Sequence, residues 1–241
     1  MAMTPDRLVI NGCSYMQCYA DGNGHGDLAA QLNITQHQNL AEPGSCNNRI
    51  IRTTLRDSFV NPAPTLYVIG VTFVSRYELP VNKHRVYPDG KWLSFTTSGL
   101  SYPPTAVIDP CVCKKDLDWY RDIWLKINLT SFDEWAEDLQ YRLLSMCDSL
   151  NHRGHSCIVF NTAESVLDYV LDQSKFQPMK SQRQIIQGLK WKSIPWQFDQ
   201  GAAWLPNDEP HDRNCRHVAP GQHQWLNQYL TNYIQEHTIL Q

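Results

Sequence analysis

Two kinds of apolar pattern alternate along this chain. The first is a short unbroken run: Leu8-Val9-Ile10, then Thr65-Leu66-Tyr67-Val68-Ile69-Gly70-Val71, then Ser156-Cys157-Ile158-Val159-Phe160. Runs of that length without polar interruption are what strands buried on both faces present. The second is a stripe at helical spacing. Leu28 and Leu32 share one face of a short helix over 25–32. Ile50, Ile51, Leu55 and Phe59 share one face of a helix over 48–59, which Ser45 or Asn47 can cap and Pro62 ends. Ser131-Phe132-Asp133-Glu134 has the form of a capping box. It opens a helix to about 150, with Trp135, Leu139, Leu143 and Met146 inward. Trp225, Leu226, Tyr229, Leu230 and Tyr233 mark a last helix over 220–236.

Less regular stretches fill the gaps. Segment 15–24 is rich in Gly, Asp and Asn and reads as a loop, 38–41 as a short strand and 42–45 as a turn. Residues 73–130 carry prolines at 80, 88, 103, 104 and 110, with short strands expected near 84–87 and 91–96. An irregular stretch this long in a compact domain is usually functional. It is expected as an insertion or lid beside the site. Residues 173–210 are irregular again. Buried strands alternating with helices predict a three-layer α/β/α sandwich on a parallel, flavodoxin-like sheet. No internal boundary stands out, so residues 1–241 are expected to form a single domain interrupted by the insertion at 73–130.

Composition narrows the function. The 241 residues are 42% hydrophobic, enough for a substantial core, and with a net charge of -3 and scattered basic residues nothing suggests a nucleic-acid footprint, so no nucleic-acid partner is expected. No apolar run approaches the ~20 residues that cross a bilayer, so no membrane association is expected. Met1–Arg7 lacks the apolar core of a signal peptide, and a cytoplasmic location is expected. The 8 cysteines form no CxxC pairs, so free buried thiols are expected, and Cys111-Val112-Cys113 is a weak chelation signal. No metal or cofactor is predicted. The 8 tryptophans and 11 tyrosines suit either a sugar-stacking surface or an aromatic core.

The chemistry centres on the end of the first strand. Asn11-Gly12 breaks the apolar run and Ser14 follows at its carboxyl end. In open α/β sheets, ligands bind in the crevice outside those ends. Taken alone, Ser14 is a turn or cap serine. Late in the chain, His217 in Cys215-Arg216-His217-Val218-Ala219-Pro220-Gly221-Gln222-His223 offers a base. Gly44 alone is a turn glycine and Thr72 alone a strand-end residue. Their order along the chain, each at a strand end, is what favours one shared site.

That order resembles the SGNH (GDSL-type) hydrolase superfamily. Gly12-Cys13-Ser14 is similar to the family's Gly-Asp-Ser block, with Cys in the Asp position. Asn39-Leu40-Ala41-Glu42-Pro43-Gly44 is similar to its second block, and His217 with Pro220, Gly221 and His223 to its fifth. The third block departs: Gly70-Val71-Thr72 carries Thr72 where the family has the oxyanion Asn. The fifth departs as well, because Asn214 stands three residues before His217 where the family has Asp, and Asp212 lies two residues earlier. Residues between the third block and the last thirty are not covered. The divergent blocks resemble those of SGNH-like proteins in tailed-phage genomes, which would extend the expected location to a host cytoplasm or a virion.

The resemblance implies acyl transfer. Ser14 is the expected nucleophile and His217 its base, oriented by Asp212 or Asn214. The backbone N–H groups of Ser14 and Gly44, with Thr72, are the expected oxyanion donors. Losing one such donor costs on the order of 3–4 kcal/mol. Asn47 and Asn48 are candidates for substrate binding or for a substitute donor. Arg76 and Glu78 are further substrate-binding candidates, and Asn161 and Glu164, beyond the last strand, are candidates to line the same cleft. The expected substrate is a small-molecule or glycan ester, and the oligomeric state is left open. The competing reading is a weak or inactive SGNH-fold binding protein; a metal-dependent hydrolase ranks last, for want of ligand spacing.

Overall fold

A computed structural model describes residues 5–21, 23–42, 45–72, 76–81, 91–96, 132–162 and 220–236. In chain order the elements are β1 (Arg7–Asn11), α1 (Ser14–Asp21), α2 (Gly24–Gln31), β2 (Gln36–Asn39), α3 (Asn47–Val60), β3 (Thr65–Val71), β4 (Arg76–Val81), β5 (Lys91–Thr96), α4 (Phe132–His152), β6 (Ser156–Asn161) and α5 (Pro220–Glu236). Four strands make a parallel sheet in the order β2-β1-β3-β6. β4 and β5 form a separate antiparallel ribbon. The expected α/β sandwich is the observed one.

Side-chain alternation along the buried strands builds two cores. Leu8, Ile10, Leu66, Val68, Ile158 and Phe160 face one side, where residues of α1, α2 and α5 cover them. Val9, Tyr67, Ile69, Val71, Cys157 and Val159 face the other, against α3 and α4. A parallel strand pair needs a crossover, and crossovers that leave β1 and β3 in opposite directions put their helices on opposite faces. The carboxyl ends of β1 and β3 therefore flank a topological switch point.

Three sequence expectations are corrected. Segment 15–24 is helical: α1 runs to Asp21 and α2 begins at Gly24. Met16, Tyr19 and Ala20, at i, i+3 and i+4, are buried, and this tertiary burial overrides the polar residues between them. Neither Ser45 nor Asn47 caps α3. The N-cap position is Cys46, whose side chain makes no capping hydrogen bond, while the Ser45 hydroxyl donates to Glu42 O at 2.7 Å. Within 73–130, a strand over 76–81 precedes the expected one over 91–96, and Pro80 is tolerated in this two-stranded ribbon. The ribbon's first strand approaches α3. The expected strand at 84–87, Cys111 and Cys113, and the segment 173–210 lie outside the described residues.

The amino edge of the sheet carries a buried ionic network. Arg7 donates to both Asp57 oxygens, at 2.7 and 2.9 Å, and to Gln38. The Tyr67 hydroxyl donates to Asp57 at 2.8 Å, and Asn61 Nδ2 donates to it at 2.9 Å. Burial opposes ionisation of Asp57, but the bonds from Arg7, Tyr67 and Asn61 outweigh it and hold the carboxyl below its usual range. Burial and the Asp57 carboxylate push the Tyr67 hydroxyl upward. His155, buried edge-on to Tyr67 with ring centroids 5.5 Å apart, has its pKa lowered, chiefly by burial. Among the described residues, Cys13, Cys46, Cys147 and Cys157 are buried thiols outside any disulfide. No helix among them is long and apolar enough to cross a membrane.

Candidate active site

The site is built where β1 and β3 end. Asn11 closes β1 and is fully buried. Its amide nitrogen lies 3.0 Å from Ile50 O, 2.8 Å from Thr53 Oγ1 and 2.9 Å from Thr54 Oγ1, all on α3. Its Oδ1 accepts from Gly12 N at 2.8 Å. One side chain thus ties the turn after β1 to the helix on the far face of the sheet. Ser14 is the first residue of α1, whose first turn closes with Gln17 N donating to Cys13 O at 3.0 Å. A serine there has its backbone N–H at the positive end of a helix.

Glycine is required at two positions because α1 lies so close to the sheet. A Cβ on Gly12 would stand 2.4 Å from Met16 Cγ and 3.0 Å from Gly70 O. A Cβ on Gly70 would stand 2.5 Å from Thr162 Cγ2 and 2.6 Å from Met16 Cγ. The two glycines singled out by motif are therefore the floor on which Met16 rests. Cys13 is fully buried, with Sγ 3.8 Å from Thr162 Oγ1 at the end of β6. Thr162 in turn donates to Val71 O at 2.8 Å, so the ends of β1, β3 and β6 are joined through it.

Thr72 follows β3 and is completely buried, and its Oγ1 makes no hydrogen bond among the described residues. Its backbone is held on both sides by Asn47: Thr72 N donates to Asn47 Oδ1 at 2.9 Å and Asn47 Nδ2 donates to Thr72 O at 2.9 Å. An orphaned buried hydroxyl is costly, on the order of 1–3 kcal/mol, and such an exception calls for a reason. The turn after β2 is anchored in a similar way. Leu40 N donates to Ile10 O at 2.9 Å and Glu42 N to Gly12 O at 3.3 Å. Arg49 of α3 pairs with Glu42 and donates to Ser45 Oγ at 3.1 Å.

Asn48 accepts from Arg142 of α4 at 2.9 Å, in an exposed contact. Arg76 and Glu78 lie in β4, opposite Thr96 and Ser94 of β5. Asn161 ends β6. Gly44, Glu164, Asp212, Asn214 and His217 lie outside the described residues. Sequence reasoning missed Asn11, which it treated only as a strand breaker. It also missed that the Asn47 amide faces backbone. Among the described residues, no group of three or more His, Cys, Asp or Glu side chains is gathered as a metal ligand set.

No protein-family model matches the chain, and no curated protein is significantly similar to it in sequence. Solved structures do resemble it. TesA superposes with a TM-score of 0.50 at 12% identity, over 95% of this chain and 98% of its own. A Bacteroides fragilis protein described as an acylhydrolase gives 0.48 at 10% identity, over 98% of this chain and 91% of its own. A GDSL-like lipase of Bacteroides thetaiotaomicron gives 0.42 at 8%, over 96% and 88%. At such identities the likeness is one of architecture: this chain is a parallel α/β sandwich with the fold of TesA.

Proposed function

We propose that the protein is a divergent SGNH-type serine hydrolase that cleaves carboxylic esters. The observation that supports this reading is that Ser14 and Thr72 each follow one of two adjacent strands, β1 and β3, at the switch point. Ser14 heads α1 just beyond β1, and Thr72, one strand over, holds a buried hydroxyl without a partner. A developing oxyanion is a partner that such a hydroxyl lacks in the resting protein. The sequence blocks around Ser14, Gly44 and His217 and the fold likeness to TesA point the same way.

In this reading His217 takes the Ser14 proton as the hydroxyl oxygen attacks the ester carbonyl. The carbonyl oxygen becomes the oxyanion, met by the Ser14 N–H, the Gly44 N–H and the Thr72 hydroxyl. Collapse expels the alcohol, which receives the proton from His217. Water, activated by the same imidazole, then releases the acid and restores Ser14. Asp212 or Asn214 orients the ring. The proposed substrate is a small or glycan-borne ester. Incubation with a fluorophosphonate followed by peptide mapping tests the reading: a single adduct on Ser14 is expected, with loss of p-nitrophenyl acetate turnover in Ser14→Ala. No adduct and no turnover in the intact protein would favour a non-hydrolytic binding role instead.

A further inference from the structure

The first two turns of α3 touch all three strand-end turns of the candidate site. Asn47 brackets Thr72. Arg49 grips the residues on either side of 43–44 through Glu42 and Ser45. Ile50, Thr53 and Thr54 receive the Asn11 amide, whose oxygen holds Gly12 N. Of these, the Asn47 bracket bears most directly on a reacting group. Its side chain is 5% exposed. Its donor and acceptor are both committed to one residue 25 positions away, at matched distances of 2.9 Å. An amide used on both sides in this way is poorly disposed to bind substrate. Its effect is to fix the backbone of Thr72 on either side of the Cα that bears the unpartnered hydroxyl.

We propose that Asn47 is a positioning residue, which acts on ester hydrolysis by aiming the Thr72 hydroxyl at the oxyanion. The proposal rests on the reading of the site as a serine hydrolase. Thr72 replaces a longer donor in the family pattern, so its reach leaves little tolerance. A misplacement near 1 Å at a reacting centre can cost about 10²-fold in rate. Asn47 supplies the rigidity that the shorter side chain needs. This also separates its role from that of Asn48, which is turned to Arg142.

A double-mutant cycle tests the proposal, with p-nitrophenyl acetate as substrate and a thermal melt on every variant. Asn47→Ala is expected to lower kcat by about 10²-fold and to leave KM within about twofold. In a Thr72→Val background, the same change is expected to lower kcat by less than about threefold, because no hydroxyl remains to be aimed. If Asn47→Ala does not fold, Asn47→Asp is read in the same cycle, since it keeps the acceptor for Thr72 N–H and loses the donor. A kcat loss of equal size in both backgrounds overturns the proposal and leaves the hydrolase reading standing. So does a rise in KM alone, which would make Asn47 a substrate contact. Absence of turnover and of Ser14 labelling in the unmodified protein overturns both.

Discussion

At the scale of single residues, Thr72 carries a conflict between folding and chemistry. A buried hydroxyl without a partner costs stability, and within the proposed reaction the same hydroxyl stabilises the oxyanion. Thr72→Val keeps the shape and removes the polar atom. It is expected to raise stability by about 1 kcal/mol while lowering kcat on an ester by about 10²-fold. Urea denaturation and initial rates check the two halves separately, and a loss of stability would mean that the hydroxyl has a structural partner. Ser14 and Thr72 were legible in the chain because each follows a strand that its apolar run announces. Asn11 and Asn47 were not. Their amides meet groups 39 to 43 and 25 residues away, and no local pattern records a hydrogen bond across that distance.

At the scale of elements, long apolar runs and stripes were readable and short polar ones were not. The helix over 220–236 and the strand over 65–71 have the bounds that their patterns predict. β2 is Gln-His-Gln-Asn and exposed; it is a strand because β1 offers it hydrogen bonds, which its composition cannot reveal. α1 was hidden for a related reason, since its three buried residues lie among polar ones. That helix rests on glycine. Gly70→Ala would press a methyl into Met16 and Thr162, and the expected cost is about 1–3 kcal/mol, visible as a lower melting temperature. Because the displaced element begins with Ser14, labelling of Ser14 by a fluorophosphonate is expected to slow in the same variant. Unchanged stability would show that α1 can shift without penalty.

At the scale of the whole molecule, the sheet has two ends with different work. The carboxyl edge gathers the candidate site, and the amino edge gathers Arg7, Asp57, Tyr67, Asn61 and His155. The parallel layered architecture followed from the alternation of buried strands and amphipathic helices. The amino-edge network did not, because Arg7 and Asp57 look like solvated charges in a linear reading. Acid should weaken the fold over two pH ranges. His155 is held neutral by burial, with the Arg153 and Arg7 charges also opposing protonation and the Ser58 backbone and Asp57 favouring it. Its folded pKa lies below the ordinary imidazole value of 6.5, so its contribution is complete above that pH and declines as pH falls below it. Asp57, also depressed, loses its contribution only as pH falls below the ordinary carboxyl value of 3.8. His155→Phe is therefore expected to flatten the stability profile between about pH 7 and 5 and leave the steeper acid limb, as read by urea midpoints across pH.

Cys13 adds a built-in clock to this arrangement. Its thiol is fully buried, immediately before Ser14 and against Thr162. A water-soluble disulfide reagent can reach it only when its surroundings open. The pace of thiol exchange at Cys13 thus reports how often the serine-bearing turn leaves its seat, without any substrate present. Cys147 and Cys157 neighbour each other in the core between β6 and α4, so the rate at Cys13 relative to that pair would rank the opening of the site against that of the fold as a whole.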